Sequence, residues 1–274
     1  MIRFKILFLL FSILLLQSAA YAAEQKKELP LWELGLIAGG ASIPHYVGSN
    51  QRYALPLVLP YFIYRGEKLR ADRKGIRGRL FETDRLSMDL DFSFGLPVRN
   101  SNRARQGMPN LHLAGQAGPQ LNWALLKDTR TKLGLHLPWR IAMDTRGTSL
   151  GWVFEPGLRL NYNFDEDGDY KLDIEASVLY ASKRYNQYYY SVTPQYATAI
   201  RPAYDAKRGL HSVSLKTGLL FRQNSDVRGS IFLTTKTLSP GVVANSPLVK
   251  SKYYISIGAG ITWMFMTSKE TVLR

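Results

Sequence analysis

The chain has 274 residues, 36 Lys and Arg against 21 Asp and Glu, a formal net charge of +15, and no cysteine. The missing cysteine excludes a disulfide framework, a thiolate metal site, a cysteine nucleophile and a lipid-modified N-terminal cysteine. The basic balance favours anionic surroundings.

At the start, Arg3 and Lys5 precede an apolar run from Ile6 to Leu16 that only Ser12 breaks, and Ala20-Tyr21-Ala22 follows. Charged start, short apolar middle and small-residue exit predict a secretory signal peptide over residues 1–22, cut after Ala22. The run is far short of the roughly 20 apolar residues that a spanning helix needs. For an exported chain the expected anionic partners are lipopolysaccharide phosphates and acidic cell-wall polymer, not nucleic acid. The charge equally suits loops that keep an apolar-sided protein soluble in transit.

Residues 23–274 show strand after strand with period two, the spacing that puts alternate side chains on opposite faces. Trp32–Ser42 and Arg52–Tyr64 are the first candidates, and the basic run Lys68–Leu80 is a poorly patterned third. Met88, Leu90, Phe92, Phe94 and Leu96 then alternate with Asp89, Asp91, Ser93 and Gly95. Leu111–Leu125 follows, then Leu133 to Met143 with Leu135, Leu137, Trp139 and Ile141 on one face. Trp152–Phe164 and Tyr170–Tyr180 alternate cleanly. Gln187–Val192, Leu210–Arg222 and Val227–Leu238 are further candidates, and Tyr253 to Phe265 closes the series. The clearest segments hold their alternation for about the 9–11 residues that a tilted strand needs to cross a bilayer. Aromatics end several apolar faces (Trp139, Trp152, Phe164, Tyr170, Tyr180, Tyr253, Trp263, Phe265), where interfacial girdles belong.

These patterns predict an all-β fold: one antiparallel transmembrane β-barrel of about 12 strands, or 10 if the two weakest are loops, over residues 23–274. The expected location is a bacterial outer membrane. Three connections are long: Pro97–Asn110, Thr193–Gly209 and Ser239–Ser251. Counting strands from Trp32 puts the first and third on opposite faces, although long loops normally face outward. Either the count misses a strand, or Pro97–Asn110 is a periplasmic loop. In the second case its Arg99, Arg103 and Arg105 form a candidate basic docking loop.

Chemistry-bearing motifs are weak. His45, His112, His136 and His211 show no metal-ligand spacing, which favours structural roles. Gly147-Thr148-Ser149-Leu150-Gly151 matches a nucleophile elbow, but it leads into a strand rather than the helix that motif requires. Asp165, Asp167 and Asp169 lack the glycine and glutamate positions of a calcium loop and read as a solvated turn. Tyr185, Tyr188, Tyr189, Tyr190, Tyr196 and Tyr204 suggest an interfacial cluster or a sugar-binding surface. Arg70, Arg73, Lys74, Arg77 and Arg79 must avoid lipid, where each costs roughly 2–4 kcal/mol at mid-depth. No catalytic residue, cofactor or metal site is predicted.

Several short segments carry a family resemblance: Pro44-His45-Tyr46-Val47-Gly48-Ser49, Tyr189-Tyr190-Ser191-Val192-Thr193-Pro194, Tyr204-Asp205-Ala206 before Gly209-Leu210, Ser246-Pro247-Leu248-Val249, and the closing Gly258 to Phe265. In this order they resemble the MipA/OmpV outer-membrane proteins, named for the MltA-interacting protein. The chain departs at Asn50, where the family often has aspartate, at Ser191, which replaces a glycine, and in the tail Met266–Arg274. The resemblance implies structural or binding roles for Pro44, Tyr46, Gly48, Ser49, Tyr190, Val192, Pro194, Ser246 and Pro247. It also implies a non-enzymatic scaffold linking a lytic transglycosylase to a bifunctional penicillin-binding protein in peptidoglycan biosynthesis. A small-solute or antibiotic-permeable pore is the alternative.

Overall fold

The computed structural model describes residues 28–66, 69–72, 75–99, 101–166 and 168–273, with only the backbone over 69–72 and 75–79 and at 273. The signal peptide expected over residues 1–22 lies outside the described residues. So do the side chains of Arg70, Arg73, Lys74, Arg77 and Arg79, and Asp167.

Among the described residues, twelve antiparallel strands form one closed wall. In chain order they are β1 (Trp32–Pro44), β2 (Arg52–Arg65), β3 (Leu69–Asp72), β4 (Gly75–Glu82), β5 (Leu86–Gly95), β6 (Ala114–Lys127) and β7 (Thr131–Asp144). Then come β8 in two segments (Ser149–Phe154 and Gly157–Asn163), β9 (Tyr170–Ala181), β10 (Gly209–Arg222), β11 (Val227–Thr237) and β12 (Tyr253–Thr267). Each strand pairs with the next, and β12 pairs back to β1, with Ile257 opposite Ser42 and Trp263 opposite Leu36. Both segments of β8 pair with β7 on one side and β9 on the other, which makes them one strand interrupted at Glu155-Pro156. The alternation over Trp152–Phe164 hides that interruption, because proline disturbs the ladder without disturbing the pattern of side chains.

Two candidate strands are corrected. Lys68–Leu80 is not one strand but the tight hairpin β3–β4, with Asp72 opposite Gly75. Gln187–Val192 is not a strand but the end of a helix, α1 (Lys183–Tyr190). Ser182 caps α1 by accepting from the Tyr185 N–H at 3.3 Å. The two errors cancel in the strand count but not in direction. With the hairpin counted as two, Pro97–Asn110, residues 182–208 and residues 238–252 all leave the same end of the barrel, together with residues 45–51. The opposite end has short turns and the paired segments Glu28–Pro30 and Thr271–Leu273, the arrangement that faces the periplasm.

The wall has the two faces that lipid and water demand. Trp139, Ile141, Ile255, Ile261 and Trp263 are half or more exposed on the outside. Glu33, His136, Arg140, Glu155, Glu175 and Ser177 are turned inward and buried. The largest buried apolar cluster lies neither in the membrane nor at the turn end: Tyr46, Val98, Leu111, Tyr185, Tyr189, Tyr190, Leu238 and Val243 gather at the loop end. The tail is also ordered. Thr271–Leu273 folds back beside Glu28–Pro30, and Ser268 bonds Trp32, so these two segments form a small ribbon under the barrel.

Candidate functional site

The long loops fold inward as a cap, and the motif segments build it. Pro44 ends β1 and turns the chain toward the barrel axis. Tyr46 is buried and donates its hydroxyl to the Leu248 carbonyl at 2.6 Å, across 202 residues of sequence. Gly48 adopts φ +104°, a left-handed conformation suited to glycine. A Cβ there would lie 3.1 Å from Leu238 Cδ1 and 3.2 Å from Val249 Cγ2. The Gly48 carbonyl accepts from the Lys250 and Ser251 N–H groups. Ser49 Oγ accepts from Asn102 Nδ2 at 3.3 Å, tying the first loop to the second.

The helix carries the tyrosines. Tyr185 and Tyr189, like Asn186 and Tyr190, are four residues apart, and all four are buried on one side of α1. The interfacial reading of this tyrosine cluster is thereby overturned for Tyr185, Tyr189 and Tyr190, which face the cap interior instead of the bilayer surface. Tyr190 is 1 % exposed and donates its single hydroxyl hydrogen to the Val47 carbonyl at 2.7 Å. Its oxygen therefore accepts from His211 Nε2 at 3.0 Å, and His211 Nδ1 is left to accept from Ser212 Oγ. Ser246 donates to the Tyr190 carbonyl at 2.7 Å, and Pro247 follows it into the same turn. Val192 and Tyr204 exchange two backbone bonds of 2.9 Å, and Pro194 opens a short 3-10 turn over Pro194–Tyr196. Burial pushes the Tyr46 and Tyr185 phenols up to about 12, and raises Tyr189 and Tyr190 as well.

The three arginines of the second loop part company. Arg99 and Arg103 are exposed at the loop end. Arg105 is buried, donates to the Tyr189 and Pro109 carbonyls, and leaves Nε without a partner. A periplasmic docking loop is not what this segment forms: its end of the barrel is the long-loop end, and Arg105 serves the cap. The error came from reading β3–β4 as one strand.

Beneath the cap the lumen is charged. Arg140 reaches Asp91 at 3.0 Å and also pairs with Glu155, while Ser177 donates to Glu155. Glu175 gathers Arg159, Lys216 at 2.7 Å and His136 at 3.6 Å. On the opposite wall Glu33 joins Arg65 at 2.8 Å and Arg228 at 3.3 Å. A cavity of about 300 Å³ lies between cap and charge network, lined by Tyr46, Ser93, Phe94, Arg140, Tyr189 and Lys236 among others.

The weak motifs do not converge. Ser149 opens β8 and accepts from the Gly151 N–H, with a strand rather than a helix behind it. Asp165 spends its carboxylate on the Asp169 and Tyr170 N–H groups. His45 stacks on Tyr53 and bonds Asn102, and His112 offers its backbone to Tyr188. No group of three or more His, Cys, Asp or Glu able to hold a metal ion occurs among the described residues.

Closed wall, lipid-facing aromatics and wet charged interior define an outer-membrane β-barrel. The chain belongs to the family described as MltA-interacting protein MipA, whose profile matches residues 36–265. Among curated proteins no sequence relative matches. It is similar to three solved structures: a bacterial polysaccharide outer membrane secretin (11 % identity, 85 % of this chain and 99 % of that one, TM-score 0.42), the NanC porin (9 %, 85 % and 100 %, 0.40), and an outer membrane channel from Pseudomonas putida F1 (10 %, 89 % and 98 %, 0.42).

Proposed function

We propose that the protein is a non-enzymatic outer-membrane scaffold of peptidoglycan biosynthesis, holding a lytic transglycosylase and a bifunctional penicillin-binding protein at its periplasmic end. The observation that carries this reading against a pore is the cap: Tyr190, Leu238, Val243 and Leu248 are all but fully buried over the loop end. A packed apolar layer there opposes free passage of solute. Family membership supports the partners, and the ordered terminal ribbon supplies a fixed periplasmic surface.

The test is affinity capture from detergent-solubilised envelopes together with conductance in planar bilayers. The scaffold reading expects both enzymes retained and no conductance above the lipid baseline. The pore reading, favoured by the Arg- and Lys-bearing lumen, expects stable channels and no retained enzyme. Channels without retention would overturn the proposal.

A further inference from the structure

One side of the wall is incomplete in its outer half. Among the described residues, β2 pairs with β3 at Tyr64 and Arg65, and β4 pairs with β5 from Glu82 to Arg79, opposite Ser87 to Asp89. Above that level, among the described residues, no strand joins β2 to β5. Backbone groups in an antiparallel strand point to alternate sides. The Arg65 N–H bonds Leu31 on the β1 side, so the backbone groups of Pro60, Val58, Pro56 and Ala54 face the cleft. Leu86 bonds Thr83 on the β4 side, and the Arg79–Asp89 pairing takes up Leu90, so Phe92 and Phe94 turn their N–H groups to the cleft from across. Proline is tolerated where a strand edge has no partner, and Pro56 and Pro60 stand at two such positions. The remaining N–H groups along both edges need acceptors, because an unsatisfied backbone group in hydrocarbon costs several kcal/mol.

The cleft leads somewhere. Ser93 to Gly95 of β5, and Leu96 after it, also line the 300 Å³ cavity under the cap. Phe94, 73 % exposed, stands between lipid and cavity. Inside, the Lys236 ammonium sits 5.9 Å from the Tyr254 ring and shares the cavity with Glu155 and Arg140, with no ion pair of its own among the described residues. Above, the Tyr53 hydroxyl bonds the Pro97 carbonyl at 2.8 Å, and the Arg103 N–H bonds Gln51 Oε1, closing the top of the cleft. The bordering segments 45–53 and 96–110 carry Arg52, Arg99, Arg103 and Arg105, and not one acidic residue.

We propose that this cleft is a lateral binding site for lipopolysaccharide. The acyl chains lie in the bilayer along Val58 and Phe94, and a lipid A phosphate passes under the cap toward Lys236 and Arg140. Its sugar, ester and phosphate oxygens supply the acceptors that the two strand edges lack. The basic border and the Lys236 ammonium select an anionic head, and the position of the cleft, next to the long loops, selects the outer leaflet.

The test is photocrosslinking in intact cells, with p-benzoylphenylalanine in the full chain and lipopolysaccharide detected on the adduct. Ser93 faces the cavity. Ser230 faces the lumen on the complete part of the wall, and Ile255 faces lipid and reports insertion. The expected result is adducts at Ser93 and Ile255 and none at Ser230. Lys236→Met should lower the Ser93 adduct at least fivefold while leaving Ile255 unchanged, and Lys236→Arg should restore it. No adduct at Ser93, equal adducts at Ser93 and Ser230, or a phospholipid adduct in place of lipopolysaccharide would each overturn the assignment.

Discussion

The two ends of this barrel are held by different physics. At the loop end, residues from four loops bury apolar and aromatic side chains against one another, and their hydroxyls bond distant carbonyls. Toward the turn end the interior is held by ion pairs such as Arg65–Glu33–Arg228 and Arg159–Glu175–Lys216, with water within reach. The wall between them asks of its residues only that apolar and polar alternate. The cap asks for particular side chains at particular places. That is why the family motifs, apart from the closing Gly258–Phe265 in β12, fall at the loop end, and why most wall strands carry little beyond their pattern.

If the contrast is right, the ends should fail separately. Tyr190→Ala should have the largest effect: it empties a fully buried site and removes two hydrogen bonds, costing the cap about 3–5 kcal/mol. Hydrogen exchange at residues 183–193 should rise while the wall strands stay protected. Gly48→Val should follow at about 1–3 kcal/mol, since it forces a branched side chain into φ +104° against Leu238 and Val249. Limited proteolysis of the first and last loops reads that effect. Ser246→Ala is smaller, about 1–2 kcal/mol for the bond to the Tyr190 carbonyl and the one from the Leu248 N–H, visible as a modest gain in exchange at the same peptides.

Alkali should separate the ends without mutation. Tyr46 and Tyr185, pushed up to about 12 by burial, stay protonated in the folded cap, whereas an unfolded tyrosine ionises near 10. The folded state therefore holds more protons, and its stability is intact below pH 10 and falls as pH rises toward 12. Absorbance at 295 nm should show the exposed tyrosines titrating first. The buried set should then ionise together with loss of loop protection. Independent titration of all tyrosines near 10 would mean that the cap is not packed.

Much of the wall was legible because its rule is local. The alternations Leu133–Met143, Tyr170–Tyr180 and Tyr253–Phe265 all fall in strands. What escaped the sequence was non-local or ambiguous. The hairpin at 69–82 is too short to show a period of its own, and missing it inverted the direction of every later strand up to the helix. The tyrosines of 185–190 carry strand propensity, but their four-residue spacing and the cap at Ser182 point to a helix, a signal available in the sequence and not weighed. The motif residues were legible as a set. Their convergence was not, since Tyr46 meets Leu248 and Tyr190 meets Val47 only through the closure of the barrel.

The central claim, that the motif-bearing loops form a packed lid rather than free surface loops, is tested most directly by native-state hydrogen exchange of the membrane-inserted protein. The account predicts that amides of residues 185–192 exchange as slowly as those of the wall strands. Exchange within seconds, as in an unconstrained loop, would contradict it.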